Sequence, residues 1–217
     1  MSTLKALSAL LSYPSEEMVR ALPEITQLLG QDKRLARHDR EALADLIGEL
    51  MATDLLDVQE HYVDLFDRGR ATALHLFEHV HGESRDRGQA MVDLIQIYER
   101  GGFALTTHEL PDYLPAMLEY LSYRPTSDMK EMLGDCAHIL RAVGETLQSR
   151  DSRYSAIFGA LLSLVGEPKL SPVTRREIEV DKSLDEEWAE TPAFDGAACS
   201  ASRPPKKSVI QIVKRAA

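Results

Sequence analysis

The chain has 217 residues, 44% hydrophobic and 28% charged, which fits one soluble domain, or one domain with a tail. A formal charge of −10 excludes a nucleic-acid surface, which needs clustered Lys and Arg to displace counterions, and suits a basic partner or plain solubility. Two cysteines, Cys136 and Cys199, are too few for a disulfide scaffold or a Cys-rich metal site, so a reducing compartment is expected.

Helical spacing dominates, and strand-like alternation is nearly absent before the tail. Leu4, Leu7, Leu10 and Leu11 predict a first helix that Pro14 stops. The N-terminus has no basic cluster, and serines interrupt its apolar run, so it reads poorly as a signal peptide and a cytoplasmic location is expected. Ser15 is a candidate cap for a second helix with Met18, Val19, Leu22, Ile25 and Leu29 on its apolar face and Gly30 at its end. Pro23 predicts a kink or break inside it. A longer pattern runs from about Asp39 to Phe66, with Thr53 and Asp54 able to restart or bend it.

Asp67 to Arg70 reads as a turn, followed by a short helix around Leu74 to Val80 that Gly82 ends. Ser84 is a candidate cap for a helix with Met91, Leu94, Ile95 and Tyr98, closed by Gly101-Gly102. Asp112 reads as the N-cap of the next helix, with Pro115 in its first turn and Leu114, Met117, Leu118 and Leu121 beneath. A further single helix is expected from Thr126 or Ser127 through Cys136 to Leu147, with Cys136 as a small buried residue. The last runs from Tyr154 to Val165, apolar nearly all round and so central to the core, yet far too short to span a membrane.

After Gly166-Glu167-Pro168 the composition changes. Glu177, Glu179, Asp181, Asp185, Glu186, Glu187 and Glu190 face only Arg176 and Lys182. From Arg203 to Arg215 there are bases and no acid. A sign switch without helical periodicity reads as a low-order tail, acidic then basic, over 169–217, with a helical domain over 1–168. Within the tail, Val209 to Val213 is an apolar run suited to docking.

His75-Leu76-Phe77-Glu78-His79 fits H-x-x-E-H, the inverted zinc-peptidase signature, in which two histidines on one helix face bind zinc beside a glutamate base. The helix is short, and a domain of this size leaves little room to hold an extended substrate, so a metal site is not expected. No Gly-rich phosphate loop or Gly-x-Ser-x-Gly elbow occurs, and His138, two residues from Cys136, points to a different helix face. The chain is therefore expected not to be an enzyme. Two polar-rich segments remain, Tyr62 to Thr72 and Glu109 to Leu121. Residue by residue, core and cap roles suit them: Tyr62 and Phe66 at i, i+4 as core, Asp112 as a cap.

Together, however, the run Tyr62 to Met91, the segment Glu109 to Leu121 and Leu-Ser-Tyr-Pro at residues 11–14 resemble the assembly chaperones of respiratory nitrate reductase, the NarJ or delta-subunit family. The resemblance covers about residues 1–170 and not the tail. It implies an all-α, single-domain helical bundle of the redox-enzyme maturation class with a flexible C-terminal tail. It also implies a chaperone, holding no cofactor stably, that assists insertion of the molybdenum cofactor into its client. The implied partner is the catalytic (alpha) subunit of a membrane-bound nitrate reductase, bound through its N-terminal segment so that membrane docking is delayed. Related chaperones for other molybdoenzymes carry His after the Pro-Asp pair, where this chain has Tyr113. Helix-in-groove recognition of a basic amphipathic segment then points to Tyr62, Leu65, Phe66 and Tyr113 as groove lining, with Asp112 and Glu119 facing the basic end. The alternatives are a helical adaptor with no maturation role, and a small zinc hydrolase using His75, Glu78 and His79.

Overall fold

Residues 2–81, 85–105 and 109–171 are described in the computed structural model of the chain. They form ten α-helices and one short 3-10 turn, with a single isolated antiparallel bridge as the only β pairing among them. The fold is all-α, as the spacing predicts. None of the described helices is long and apolar enough to cross a membrane.

Helix α1 (Ser2–Leu11) buries Leu4, Leu7, Leu10 and Leu11 against α2 (Glu16–Gln31) and α7 (Leu114–Ser122). The Ser8 hydroxyl fixes that packing by donating to the Pro115 carbonyl at 2.7 Å. The Ser15 side chain accepts from the Met18 amide at 3.2 Å, capping α2 as expected. Pro23 sits on the exposed face of α2 and the helix continues past it; Gly30 lies inside the helix, which ends one residue later at Gln31 with Asp32 as its C-cap. There the Asp32 carboxylate is gripped by Arg34 and Thr3, which hold it well below the ordinary carboxylate range.

The long pattern from 39 to 66 divides at Thr53–Asp54 into α3 (Arg37–Ala52) and α4 (Leu55–Phe66), and the Asp54 carboxylate caps α4 by accepting from the Leu56 amide. Helices α5 (Leu76–His81) and α6 (Arg85–Arg100) follow; among the described side chains of α6, Leu94 and Tyr98 are the buried ones. Gly101 and Gly102 end α6 for two reasons. A Cβ on Gly101 would meet the Tyr120 ring at 2.8 Å, and Gly102 adopts φ 85°.

Two expectations fail here. The helix expected through Cys136 is two helices, α8 (Thr126–Asp135) and α9 (Ala137–Ser149), because Cys136 leaves helical geometry at φ −91°, ψ 1°. A one-residue break preserves the i, i+3, i+4 spacing, so periodicity could not reveal it. Cys136 is half-buried at this junction rather than deep in a helix face, and burial pushes its thiol pKa up to about 11. Asp112, in turn, is not the cap of α7: Tyr113 occupies that position and supplies no side-chain cap.

Helix α10 (Ser155–Val165) carries no charged residue and packs on α3, α8 and α9, with Ile157, Phe158, Ala160, Leu161 and Leu162 fully buried. Each such large side chain contributes roughly 1.5–3 kcal/mol of transfer free energy, which makes α10 the axis of the core. Beyond it, Lys169 to Ser171 lie along α9: Arg141 donates to the Lys169 carbonyl at 2.8 Å, and the Ser171 amide donates to Glu145. The acidic and basic stretches after residue 171, with Val209 to Val213, lie outside the described residues.

Candidate functional site

The two polar-rich segments singled out from sequence meet in space. Tyr62 and Phe66, one turn apart on α4, stack at 4.8 Å, and both rings pack edge-on against Tyr154 at the start of α10. Burial and the neighbouring Tyr113 ring raise the Tyr62 pKa far above the ordinary phenol range, so its hydroxyl stays a donor. It donates to the Leu11 carbonyl at 2.8 Å. With that proton committed, the contact between the Tyr62 and Tyr113 hydroxyls at 3.3 Å has Tyr113 as donor. Tyr13, at the end of the Leu-Ser-Tyr-Pro stretch, lies edge-on to Tyr62 at 5.7 Å and is 52% exposed.

Tyr113 is held there by a strand-like pairing of two loops. His75 and Tyr113 form the antiparallel bridge: the Leu114 amide donates to the Leu74 carbonyl at 2.9 Å, and the Leu76 amide to the Asp112 carbonyl at 3.1 Å. Asp112 is the hinge of this pairing. Its side chain is fully buried and accepts from the Phe77 amide at 3.0 Å, so it caps α5 across the loop rather than its own helix. Its other oxygen lies 3.4 Å from His75 Nδ1, and that hydrogen bond, opposed by desolvation and helped by the Asp112 charge, raises the His75 pKa. Tyr98 of α6 braces the same loop by donating to the Pro111 carbonyl at 2.7 Å.

Of the residues expected to line a groove, Tyr62, Leu65 and Phe66 are buried in the core, while Tyr113 is half-buried. Leu65 also anchors the turn that follows, since the buried Thr72 hydroxyl donates to its carbonyl. Asp112 is covered and spent on structure, so it presents no carboxylate to solvent. Glu119 is exposed but stands apart, at a cavity of about 310 Å³ beside Phe103, Tyr120 and Tyr123. The side chains around Tyr62 that reach solvent include Tyr13 and the half-buried Tyr113 and His75, and Leu110, 44% exposed, accepts the Tyr113 amide on its carbonyl. Tyr13 and His75 were not foreseen among them. Tyr13 lies within one of the stretches that carried the family resemblance, which was the only signal for it.

The H-x-x-E-H residues are otherwise engaged. His79 Nε2 donates to the Ala73 carbonyl at 2.9 Å, His75 precedes the helix and faces Asp112, and Glu78 pairs with Arg87 at 3.4 Å. Among the described residues no cluster of three or more His, Cys, Asp or Glu side chains is arranged to hold a metal ion. Arg68 pairs with Asp64 one turn back on α4.

Comparison with known proteins gives this helical domain a family. A family model described as nitrate reductase delta subunit matches residues 32–160, more than half of the chain. The chain is 44% identical over 196 residues to the nitrate reductase molybdenum cofactor assembly chaperone NarJ of Escherichia coli strain K12, spanning 88% of this chain and 83% of that protein. It is 41% identical over 196 residues to the probable assembly chaperone NarW of the same organism, spanning 88% and 82%. A probable NarJ of Bacillus subtilis strain 168 is 34% identical over 161 residues, spanning 74% of this chain and 86% of that protein.

Proposed function

The chain belongs to the nitrate reductase delta-subunit family, and from that premise we propose that it is a chaperone that attends a nitrate reductase while the molybdenum cofactor is inserted. It is not an enzyme. The cofactor is the client's cargo; the chaperone keeps the apoenzyme competent to receive it and holds none stably itself.

The finer reading is that it grips the N-terminal segment of the catalytic subunit and so delays membrane docking until maturation is complete. The observation that carries this is the exposed ring of Tyr13 and the half-buried ring of Tyr113, both set against Tyr62, whose own hydroxyl is committed to the fold. A rigid amphipathic surface of this kind supplies apolar anchors without reorganising on binding. An amphipathic helix lays its apolar side against Tyr13, Tyr113 and Leu110, with Tyr62 at the base of the gap. Leu65 and Phe66 support the face from beneath. Asp112 acts by positioning Tyr113, and Glu119 meets a basic residue of the client from the neighbouring cavity.

Apolar burial carries the affinity, because exposed charge pairs contribute only about 0–1 kcal/mol each. The −10 net charge instead accelerates encounter with a basic segment, so the association rate falls steeply with added salt. The test of the maturation role is a gene deletion. Nitrate reductase polypeptide is expected to persist but to be inactive and cofactor-poor; normal cofactor content in the deletion strain removes the reading in favour of a helical adaptor.

A further inference from the structure

An apolar groove of about 560 Å³ lies between α6 and the α7–α8 pair, lined by Phe77, Leu94, Ile97, Met117, Met132 and Cys136. Ile97 is 39% exposed, and Phe77, Met132 and Cys136 are half-buried, so the lining reaches solvent. Tyr13, Tyr62 and Tyr113 take no part in it. On its α8 wall Asp128 is neutralised by Arg124 at 3.0 Å, while Glu131 and Asp135, one turn apart, form no ion pair among the described residues. Arg100, at the end of α6, is the further base in the lining, and it donates to Gln96.

Imperfect helix packing alone can leave such a gap. What singles this one out is how charge and apolar residues are divided along the chain. Residues 1–171 hold 27 acids and 17 bases, so the whole formal charge of −10 belongs to them. Residues 172–217 hold eight of each, yet the stretch 203–215 has five bases and no acid, set around Val209-Ile210-Gln211-Ile212-Val213. An apolar run of that kind without proline is an aggregation hazard when left uncovered. The chain therefore carries an apolar groove with an acidic wall and an apolar segment with basic flanks. Each is the complement that the other lacks.

We propose that the segment 206–215 of the same molecule occupies this groove, its apolar residues on Phe77, Met117 and Met132 and its bases toward Glu131 and Asp135. Ser171 and Lys206 are separated by 34 residues, a contour of roughly 110 Å, which exceeds the width of a domain this size. The encounter is intramolecular, so modest contacts suffice to fill the groove. Filled in this way, the groove is closed to other apolar segments until one displaces the chain's own. The proposal does not depend on which protein is the client.

The test is NMR of the full chain with isotope-labelled methionine methyls, because Met117 and Met132 line the groove and Met18 and Met51 do not. Ile210→Asp/Ile212→Asp is expected to move the Met117 and Met132 signals and to leave those of Met18 and Met51 in place. A peptide of residues 203–217 added to that variant should return both groove signals to their wild-type positions, saturably. Glu131→Lys/Asp135→Lys introduced into the same variant should weaken the peptide roughly tenfold. Met117 and Met132 signals that ignore the Ile210→Asp/Ile212→Asp change overturn the proposal, whether or not a peptide of a client protein moves them. A peptide that leaves both signals unmoved overturns it as well. Wild-type signals that shift on dilution toward those of the variant place the segment in a second copy of the chain and overturn the intramolecular assignment. Peptide affinity indifferent to the Glu131→Lys/Asp135→Lys reversal overturns the acidic wall as its partner.

Discussion

The aromatic face and the start of α3 treat buried polar groups in opposite ways. Around Tyr62 and Asp112 nearly every such group is committed: Tyr62 to Leu11, Tyr98 to Pro111, Thr72 to Leu65, and Asp112 to the Phe77 amide and His75. The Tyr154 hydroxyl is the exception in that cluster. Around Asp39, two acceptors stand without donors. A satisfied network fixes a shape, and here it fixes the loop pairing that sets Tyr113 against Tyr62. An unsatisfied pair lowers stability and is retained where something else repays it. The first region is a satisfied network; in the second, Asp39 Oδ2 and Gln148 Oε1 are buried without a hydrogen-bond partner.

Substitutions separate these roles, beginning with the core. Phe66→Ala removes a fully packed ring and is expected to lower stability by about 3–5 kcal/mol, read by denaturant unfolding. Its effect on client affinity should vanish once the folded fraction is accounted for; a large residual loss would give Phe66 direct contact. Asp112→Ala leaves the Phe77 amide without its cap and loosens the loop pairing, at a cost of about 2 kcal/mol. Faster hydrogen exchange at the Phe77 amide is the accompanying sign. Tyr62→Phe keeps the ring and loses one hydroxyl, for about 1 kcal/mol in the same assay.

The smallest effect is a pH dependence. Asp112 raises the His75 pKa above its unfolded value of about 6.5, so this pair stabilises the fold fully below that pH. The contribution is lost as pH rises through the higher folded value. Wild-type stability should therefore decline slightly more than that of His75→Gln between mildly acidic and mildly alkaline pH. Parallel pH profiles would show that the pair carries no such linkage.

Much of the fold was legible because apolar residues recur at helical spacing from Leu4 to Leu164, and caps such as Ser15 and Asp54 act on their own helices. What was not legible depended on contacts distant in sequence. Asp112 has the sequence position of a local cap, yet it serves α5, 35 residues away along the chain, because two loops pair. Residue by residue Tyr62 and Phe66 read as core, and only the resemblance made them groove lining; the packing of both rings on Tyr154 and the bond from Tyr62 to the end of α1 involve partners distant in sequence. The break at Cys136 keeps the helical spacing and so left no trace in the pattern. The unmet acceptors Asp39 Oδ2 and Gln148 Oε1 come from α3 and α9, and neither residue carries a motif.

The most direct test concerns the Tyr13–Tyr113 face. Calorimetric titration of the full chain with a peptide of the nitrate reductase catalytic subunit's first residues should show affinity falling roughly 30-fold or more in the Tyr13→Ala/Tyr113→Ala double variant. The unfolding midpoint of that variant should stay near the wild type. Unchanged affinity in a folded double variant contradicts the assignment and moves the client to another surface.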